Sequence, residues 1–305
     1  MANTVGGLIA EGTERLKESG SESPRLDTEL LLGHVLSVER TSLLAYPGAL
    51  VGDGQVGAFR VLQERRASGE PVAYIRGVKE FHGLAFTVDA RVLIPRPDTE
   101  TLVDLAWDAI RARLSAAPRP AGTPPLRAWD VATGSGAIAV ALAVALRRLG
   151  ALEHVTFAMS DVSRDVLGVA LENAVAHGVA DRIEVAIGDL FHVEPPPELP
   201  VDLVTANLPY IPSATLPTLP IAATFEPVLA LDGGPDGLDL VRRLLDGLPA
   251  VLAPGGRALL EIGSDQGDSA SAEARARLPG WSVAVHPDLA GRPRVLAIAA
   301  PAAPR

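Results

Sequence analysis

The chain has no cysteine. That removes disulfides, thiolate nucleophiles and cysteine-based zinc sites together, and leaves any chemistry to oxygen or nitrogen groups or to a bound cofactor. Lysine is nearly absent as well, with only Lys17 and Lys79, and 27 basic against 37 acidic residues give a formal charge of -10. Such a balance argues against direct binding of nucleic acid through a broad basic surface, while leaving room for a local basic cleft. No apolar run reaches the roughly 18–20 residues of a membrane span, and the N-terminus lacks the basic patch and apolar stretch of a secretory signal. A cytoplasmic protein without membrane contact is expected. The six histidines, His34, His82, His154, His177, His192 and His286, show no metal-ligand spacing, so no metal site is expected.

What is present is enough apolar sequence for a sizeable core: 305 residues, 48% hydrophobic, suggesting one large domain and a small one. Residues 4–66 carry apolar side chains at helical spacing, among them Leu26, Leu30, Leu31 and Val35, then Val56, Phe59 and Leu62, broken by Gly20, Pro24, Pro47 and Gly52. Residues 73–75 and 84–88 read as two strands around a His82-Gly83 turn. Pro95 and Pro97 lead into a helix to about Arg113, with Asp98 or Thr99 able to cap it, and a Pro/Ala-rich surface loop follows over 116–125. Beyond it, strand-like runs at 128–132, 155–160, 183–187, 201–206 and 257–262 alternate with helical segments at 137–149, 164–177 and 238–252. This is an α/β pattern, a mostly parallel sheet covered on both faces. Two further strands at 282–286 and 294–298, joined by a Gly/Pro turn, predict an antiparallel hairpin at one sheet edge.

Ala132-Thr133-Gly134-Ser135-Gly136 follows the first strand of that sheet and opens a helix, so its backbone can approach a ligand closely beside free helix N–H groups. With Ala139 the glycines also satisfy the dinucleotide pattern G-x-G-x-x-A, and a structural strand-to-helix turn looks the same. The second strand ends at Asp161, placed to accept from ribose hydroxyls, although a helix cap explains an acid there equally well. The third ends at Asp189-Leu190, where a carboxylate can meet an adenine amine. The fourth ends in Asn207-Leu208-Pro209-Tyr210. An amide nitrogen is a poor nucleophile, so a catalyst acting on one must orient it and accept its hydrogens. The Asn207 oxygen and the Leu208 carbonyl can do so, with Tyr210 stacking on the amide plane. A Pro-containing turn with a packed tyrosine is the plainer alternative.

Asn207 to Tyr210 resembles the Asn-Pro-Pro-Tyr signature of amino-group methyltransferases, and the chain from about Leu26 onward is similar to the release factor glutamine methyltransferases. The resemblance is carried by Gly69-Glu70-Pro71, Tyr74-Ile75, Glu80-Phe81, Gly83-Leu84 and Phe86, and by the segment Pro95-Arg96-Pro97-Asp98-Thr99-Glu100. Glu226-Pro227, Gly233-Gly234, Asp236-Gly237-Leu238-Asp239, Glu261-Ile262-Gly263, Gln266-Gly267 and residues 288–292 extend it along most of the chain. It implies a class I S-adenosylmethionine-dependent methyltransferase fold, a seven-stranded, mostly parallel sheet with an antiparallel last strand, plus a small N-terminal helical domain. The corresponding division is 1–72 as the helical substrate-docking domain, 73–95 as a hairpin connector and 96–305 as the catalytic domain. The activity implied is N5-methylation of a glutamine amide, that of the Gly-Gly-Gln sequence of peptide chain release factors, in translation termination. S-adenosyl-L-methionine is the implied cofactor, held by Ala132, Thr133, Gly134, Ser135, Gly136, Asp161, Asp189, Leu190 and Asn207. Asn207 to Tyr210 would hold the glutamine, and Arg96, Phe81 and Glu226 are further candidates at the site. Arg96 reads equally as a carboxylate-binding group or as a structural ion pair.

Leu208, Ala132 and Asp98 stand where the family has proline, glycine and glutamate. Leu208 loses proline's fixed φ, and the Cβ of Ala132 can be accommodated if its φ is negative. A ribosomal-protein glutamine or an RNA adenine is the alternative acceptor. A nicotinamide-dependent dehydrogenase and a cofactor-binding protein without turnover are alternatives of other classes.

Overall fold

A computed structural model describes residues 3–115 and 122–303. The expected Pro/Ala loop therefore falls outside the described residues from 116 to 121. The chain forms two units, Met1–Val78 with Leu219–Phe225, and Lys79–Thr218 with Glu226–Arg305.

The smaller unit contains α1 (Val5–Glu18), α2 (Pro24–Leu36), α3 (Arg40–Ala45), α4 (Asp53–Ala67) and α5 (Val72–Arg76). The Thr4 hydroxyl caps α1 by accepting from the Gly7 N–H at 3.1 Å. Leu8, Leu31, Leu32, Phe59 and Ile75 fill the core between the helices. The buried face of α2 includes Leu31, with Val35 packed against the core as the apolar spacing suggested, but it departs from that spacing at the start of the helix. Leu26 is exposed, while Asp27 and Glu29 are buried, the first paired with Arg66 at 2.7 Å and the second with Arg25 and Arg40. Residues 73–75, expected as a strand, lie in α5. The Pro71 carbonyl accepts from the Tyr74 and Ile75 N–H groups, and Gly77 ends the turn with φ +70°, so extended chain begins only at Val78.

The larger unit begins at Lys79, where β1 (Val78–Phe81, its first residue belonging to the smaller unit) and β2 (Leu84–Thr87) form a hairpin through His82 and Gly83, both at positive φ. This hairpin is packed into the unit. Phe81 and Phe86 meet edge-on at 6.0 Å in the hydrophobic core, and the Thr87 N–H donates to the Asn173 side-chain oxygen at 2.7 Å. The remaining elements are α6 (Glu100–Ser115), β3 (Leu126–Val131), α7 (Ala137–Arg148), β4 (Val155–Asp161), α8 (Arg164–Ala176), β5 (Ile183–Asp189), β6 (His192–Glu194), β7 (Val201–Ala206), α9 (Asp239–Val251), β8 (Leu252–Glu261), α10 (Gly267–Arg277), β9 (Ser282–Pro287) and β10 (Pro293–Ala299). Neither expected cap serves α6: Asp98 pairs with Arg294 at 2.9 Å, and the Thr99 hydroxyl accepts from the Asn207 side-chain nitrogen at 3.2 Å.

The sheet order is β6-β5-β4-β3-β7-β8-β10-β9. β5, β4, β3, β7 and β8 run parallel, β10 is antiparallel to β8, and β9 antiparallel to β10. The sheet has one strand more than the seven expected, because the chain doubles back after β5 and lays β6 antiparallel to it, Asp189 opposite His192. Strand order reverses between β3 and β7, and at such a switch point helices leave in opposite directions and open a crevice above the strand ends.

Candidate active site

A cavity of about 350 Å³ lies at the carboxyl ends of β3, β4, β5 and β7, within the range of small-ligand clefts. Its floor is the turn after β3. Asp130, fully buried one residue before the end of that strand, accepts from the Thr133 hydroxyl at 2.6 Å and the Thr205 hydroxyl at 2.7 Å, tying the turn to β7. Burial pushes its carboxyl up to about 6, against the pull of those hydroxyls. Ala132 does not meet the condition of a negative φ under which its Cβ is readily accommodated. Its φ is +54°, because the Thr133 N–H reaches back to the Ser160 carbonyl at 2.9 Å and the chain must turn left-handed to deliver it. Gly134 and Gly136 also have positive φ. A Cβ on Gly136 would stand 3.2 Å from Met159 Sδ and from Ala170 Cβ, so that glycine seats α7 against the sheet. A Cβ on Gly134 meets no described atom within 4 Å and would occupy the cavity.

Asp161 lines the next wall. It accepts from the Gly134 N–H at 3.2 Å and the Ser163 N–H at 3.1 Å, and burial raises its carboxyl above the usual range. It therefore helps shape the turn as well as facing the cavity. Asp189 pairs with Arg243 at 2.6 Å, and both line the cavity. Leu190 beside them takes φ +54°, the second non-glycine residue on this rim in the left-handed region.

From β7, Asn207, Leu208 and Pro209 close the cavity opposite the turn. The Asn207 side-chain nitrogen donates to the Thr99 hydroxyl at 3.2 Å, and no described residue donates to its oxygen. Tyr210 does not line the cavity. Its hydroxyl donates to Glu261 at 3.4 Å, and burial together with that carboxylate pushes the phenol up to about 12, so it stays protonated. Arg96 is ion-paired with the buried Glu226, which also accepts from the Ile94 N–H at 3.1 Å, and neither side chain lines the cavity. Phe81 is a core residue away from it. Thr99, Glu261 and Arg294 were not singled out as site residues. Thr99 and Glu261 lie inside segments that carry the family resemblance, but the bonding that gives them a role links residues far apart in sequence. Among the described residues no cluster of His, Asp or Glu could hold a metal ion.

The description of the PrmC N-terminal domain matches residues 7–77. The release factor glutamine methyltransferase of Moorella thermoacetica is 42% identical over 294 residues, covering 95% of this chain and 96% of its own. This chain belongs to the release factor glutamine methyltransferase family. The Neisseria gonorrhoeae relative of the same name is 40% identical over 276 residues, covering 90% of this chain and 93% of its own. Among solved structures the hMettl16 catalytic domain, 15% identical, superposes with a TM-score of 0.52 over 83% of this chain and 84% of that one, a likeness of fold.

In this release factor glutamine methyltransferase the glycines at 233 and 237 have a steric role beside Asn207-Leu208-Pro209-Tyr210. A Cβ on Gly233 would lie 2.6 Å from the Pro209 carbonyl oxygen, and one on Gly237 would lie 2.2 Å from that of Tyr210. Gln266 fastens the same place, its side-chain nitrogen donating to the Tyr210 carbonyl at 3.0 Å while its oxygen accepts from the Gly263 N–H at 2.8 Å. The segment after β7 is thus clamped from two sides by backbone and one glutamine.

Proposed function

We propose that this chain transfers a methyl group from S-adenosylmethionine to the side-chain amide nitrogen of a glutamine in a peptide chain release factor, the glutamine of its Gly-Gly-Gln sequence. Membership of the family supports the substrate class. The observation that carries the chemistry is Asn207 on the cavity wall, with its nitrogen engaged by Thr99 and its oxygen left to accept.

The residues lining the cavity suit S-adenosylmethionine: a turn whose Gly134 leaves open space, the first turn of α7, an acid at Asp161, and an apolar wall with Ile138, Val166 and Leu190. Gly134 and Ser135 would lie along the methionine part, Asp161 would accept from the ribose hydroxyls, and Asp189 with Leu190 would bound the adenine. When bound, the cofactor supplies an electrophilic methyl group on a sulfonium. Asn207 Oδ1 and the Leu208 carbonyl oxygen hold the two amide hydrogens of the glutamine, and so fix the direction in which the nitrogen lone pair points. Holding those hydrogens at two acceptors draws electron density toward the nitrogen, and no strong base is needed beforehand; as the N–C bond forms, the methyl–sulfur bond breaks to release S-adenosylhomocysteine, and one amide proton is lost to water. Tyr210, protonated at neutral pH, braces this segment through Glu261. The helical unit serves to dock the protein substrate. Among the described residues no helix is long and apolar enough to cross a membrane.

Labelled methyl transfer to purified bacterial release factors, with the Gly-Gly-Gln glutamine replaced in a parallel sample, tests this reading. Label should appear only where the glutamine is present. Asn207→Ala should lower transfer by about 100-fold or more while leaving cofactor affinity within a few-fold. Equal loss of both would remove Asn207 from its assigned place at the acceptor amide.

A further inference from the structure

Two adjacent arginines on α9 have opposite surroundings. Arg242 is taken up by carboxylates that do not line the cavity: it pairs with Asp236, with Asp239 at 3.0 Å and with Glu273 at 2.7 Å. Arg243 lines the cavity, as does Leu240 three residues before it on the same side of the helix. Among the described residues it pairs with one carboxylate, that of Asp189 at 2.6 Å.

Both side chains of that pair are about half exposed, so it adds little to stability. Its place in the molecule gives it another effect. Asp189 is the last residue of β5, and its main chain is fixed by pairing with His192 on β6. Its carboxylate stays free to rotate unless something holds it. The guanidinium does so through Oδ2, and no described residue donates to Oδ1. One oxygen is thus tied to α9 while the other is left to accept, on a cavity wall shared with Leu190 and Leu240.

We propose that Arg243 is a positioning residue for the cofactor. By tying down Oδ2 of Asp189 it presents Oδ1 to the exocyclic amine of the adenine, and it makes the cavity select that base over one bearing an oxygen at the same place. An amine donates hydrogens, whereas the carbonyl of a hypoxanthine offers only lone pairs and meets those of Oδ1. A free carboxylate can swing away from that carbonyl and a pinned one cannot, so the penalty on the wrong base comes from the pinning. The inference rests on the reading of the cavity as the S-adenosylmethionine site and is independent of which acceptor is methylated.

Calorimetric titration of the intact protein with S-adenosylhomocysteine and with its hypoxanthine counterpart, S-inosylhomocysteine, tests it. The wild-type protein should favour the adenine compound. Arg243→Met, which keeps an apolar stem and loses the charge, should weaken binding of that compound by about 3- to 10-fold. The preference between the two compounds should narrow by about threefold or more, because the released carboxylate escapes the carbonyl. In an Asp189→Ala background the same change at Arg243 should leave the preference where Asp189→Ala has put it, as a residue acting through Asp189 requires. Arg242→Met is the comparison: it breaks the larger ion-pair network on the same helix and should lower the melting temperature without moving the preference. A wild-type protein with no preference, a preference unmoved by Arg243→Met, or one narrowed equally with and without the Asp189 carboxylate overturns the proposal. Equal narrowing by Arg242→Met does so too, since it marks a general loosening of α9. A wild-type protein that binds neither compound overturns this inference and the cofactor reading together. Selective binding of the adenine compound without methylation of any release factor overturns the proposed acceptor instead, and the titrations still decide the role of Arg243.

Discussion

Ala132, just after β3, and Leu190, just after β5, adopt φ +54° on the rim of one cavity. A Cβ in the left-handed region costs about 1–2 kcal/mol relative to glycine. The backbone accepts that cost at Ala132 because the Thr133 N–H is committed to Ser160 and the Gly134 N–H to Asp161. Ala132→Gly should then raise the stability to urea by about 1 kcal/mol, less than the full relief because glycine also frees the unfolded chain. Cofactor affinity should change little, and a fall in the urea midpoint would show that the methyl group packs usefully. Ala132 marks a limit of what is legible from residue types. The turn, its glycines and its place after the first sheet strand are all readable in Thr133-Gly134-Ser135-Gly136. The sign of φ at Ala132 is set by hydrogen bonds to a strand about thirty residues away.

Between elements, the loop at 232–238 and the segment after β7 are fitted to each other through backbone rather than side chains. Gly237 sits at φ +78° with the Tyr210 carbonyl where a side chain would go. Gly237→Ala combines that close approach with an unfavourable φ, and should cost about 2–3 kcal/mol of stability. It should also lower kcat for methyl transfer more than it weakens cofactor binding, because it moves Tyr210 and not the turn after β3. Parallel thermal melts, cofactor titration and transfer assays separate the two. At this scale the sequence is most readable where periodicity is long. The alternating strands and helices from β3 to β8 follow from apolar runs bounded by turns, and they place Asp161, Asp189 and Asn207 at one sheet edge. Short segments are less so. Three apolar residues at 73–75 fit a strand or a helical turn equally, and Pro71 and Gly77 decide for the turn. The pairings of Thr99, Glu261 and Arg294 escape any local pattern, since each joins residues from different ends of the chain.

For the molecule as a whole, the division into two units does not follow the order of the sequence. Leu219–Phe225 belongs with the first 78 residues, although the chain on either side of it belongs with the sheet. Gly69, at φ +102°, leaves space there for Ile221, whose Cγ2 would lie 2.6 Å from any Cβ at that position. In hydrogen exchange at rising denaturant, amides of 219–225 should open together with those of α1–α5 and not with β7. Exchange in step with 201–211 would show that the segment is energetically part of the sheet unit.

That crossing of the chain has a consequence for biosynthesis. When residue 78 leaves the ribosome the helical unit still lacks its last piece, and that piece is translated only after residues 79–218, which include β3, β4, β5 and β7. The helical unit is thus finished only after β7 has been made, though still before β8, β9 and β10 complete the sheet. Its last piece waits on a stretch translated between β7 and β8, while the core of Leu8, Leu31, Leu32, Phe59 and Ile75, which contains none of that stretch, can close as soon as α5 has emerged.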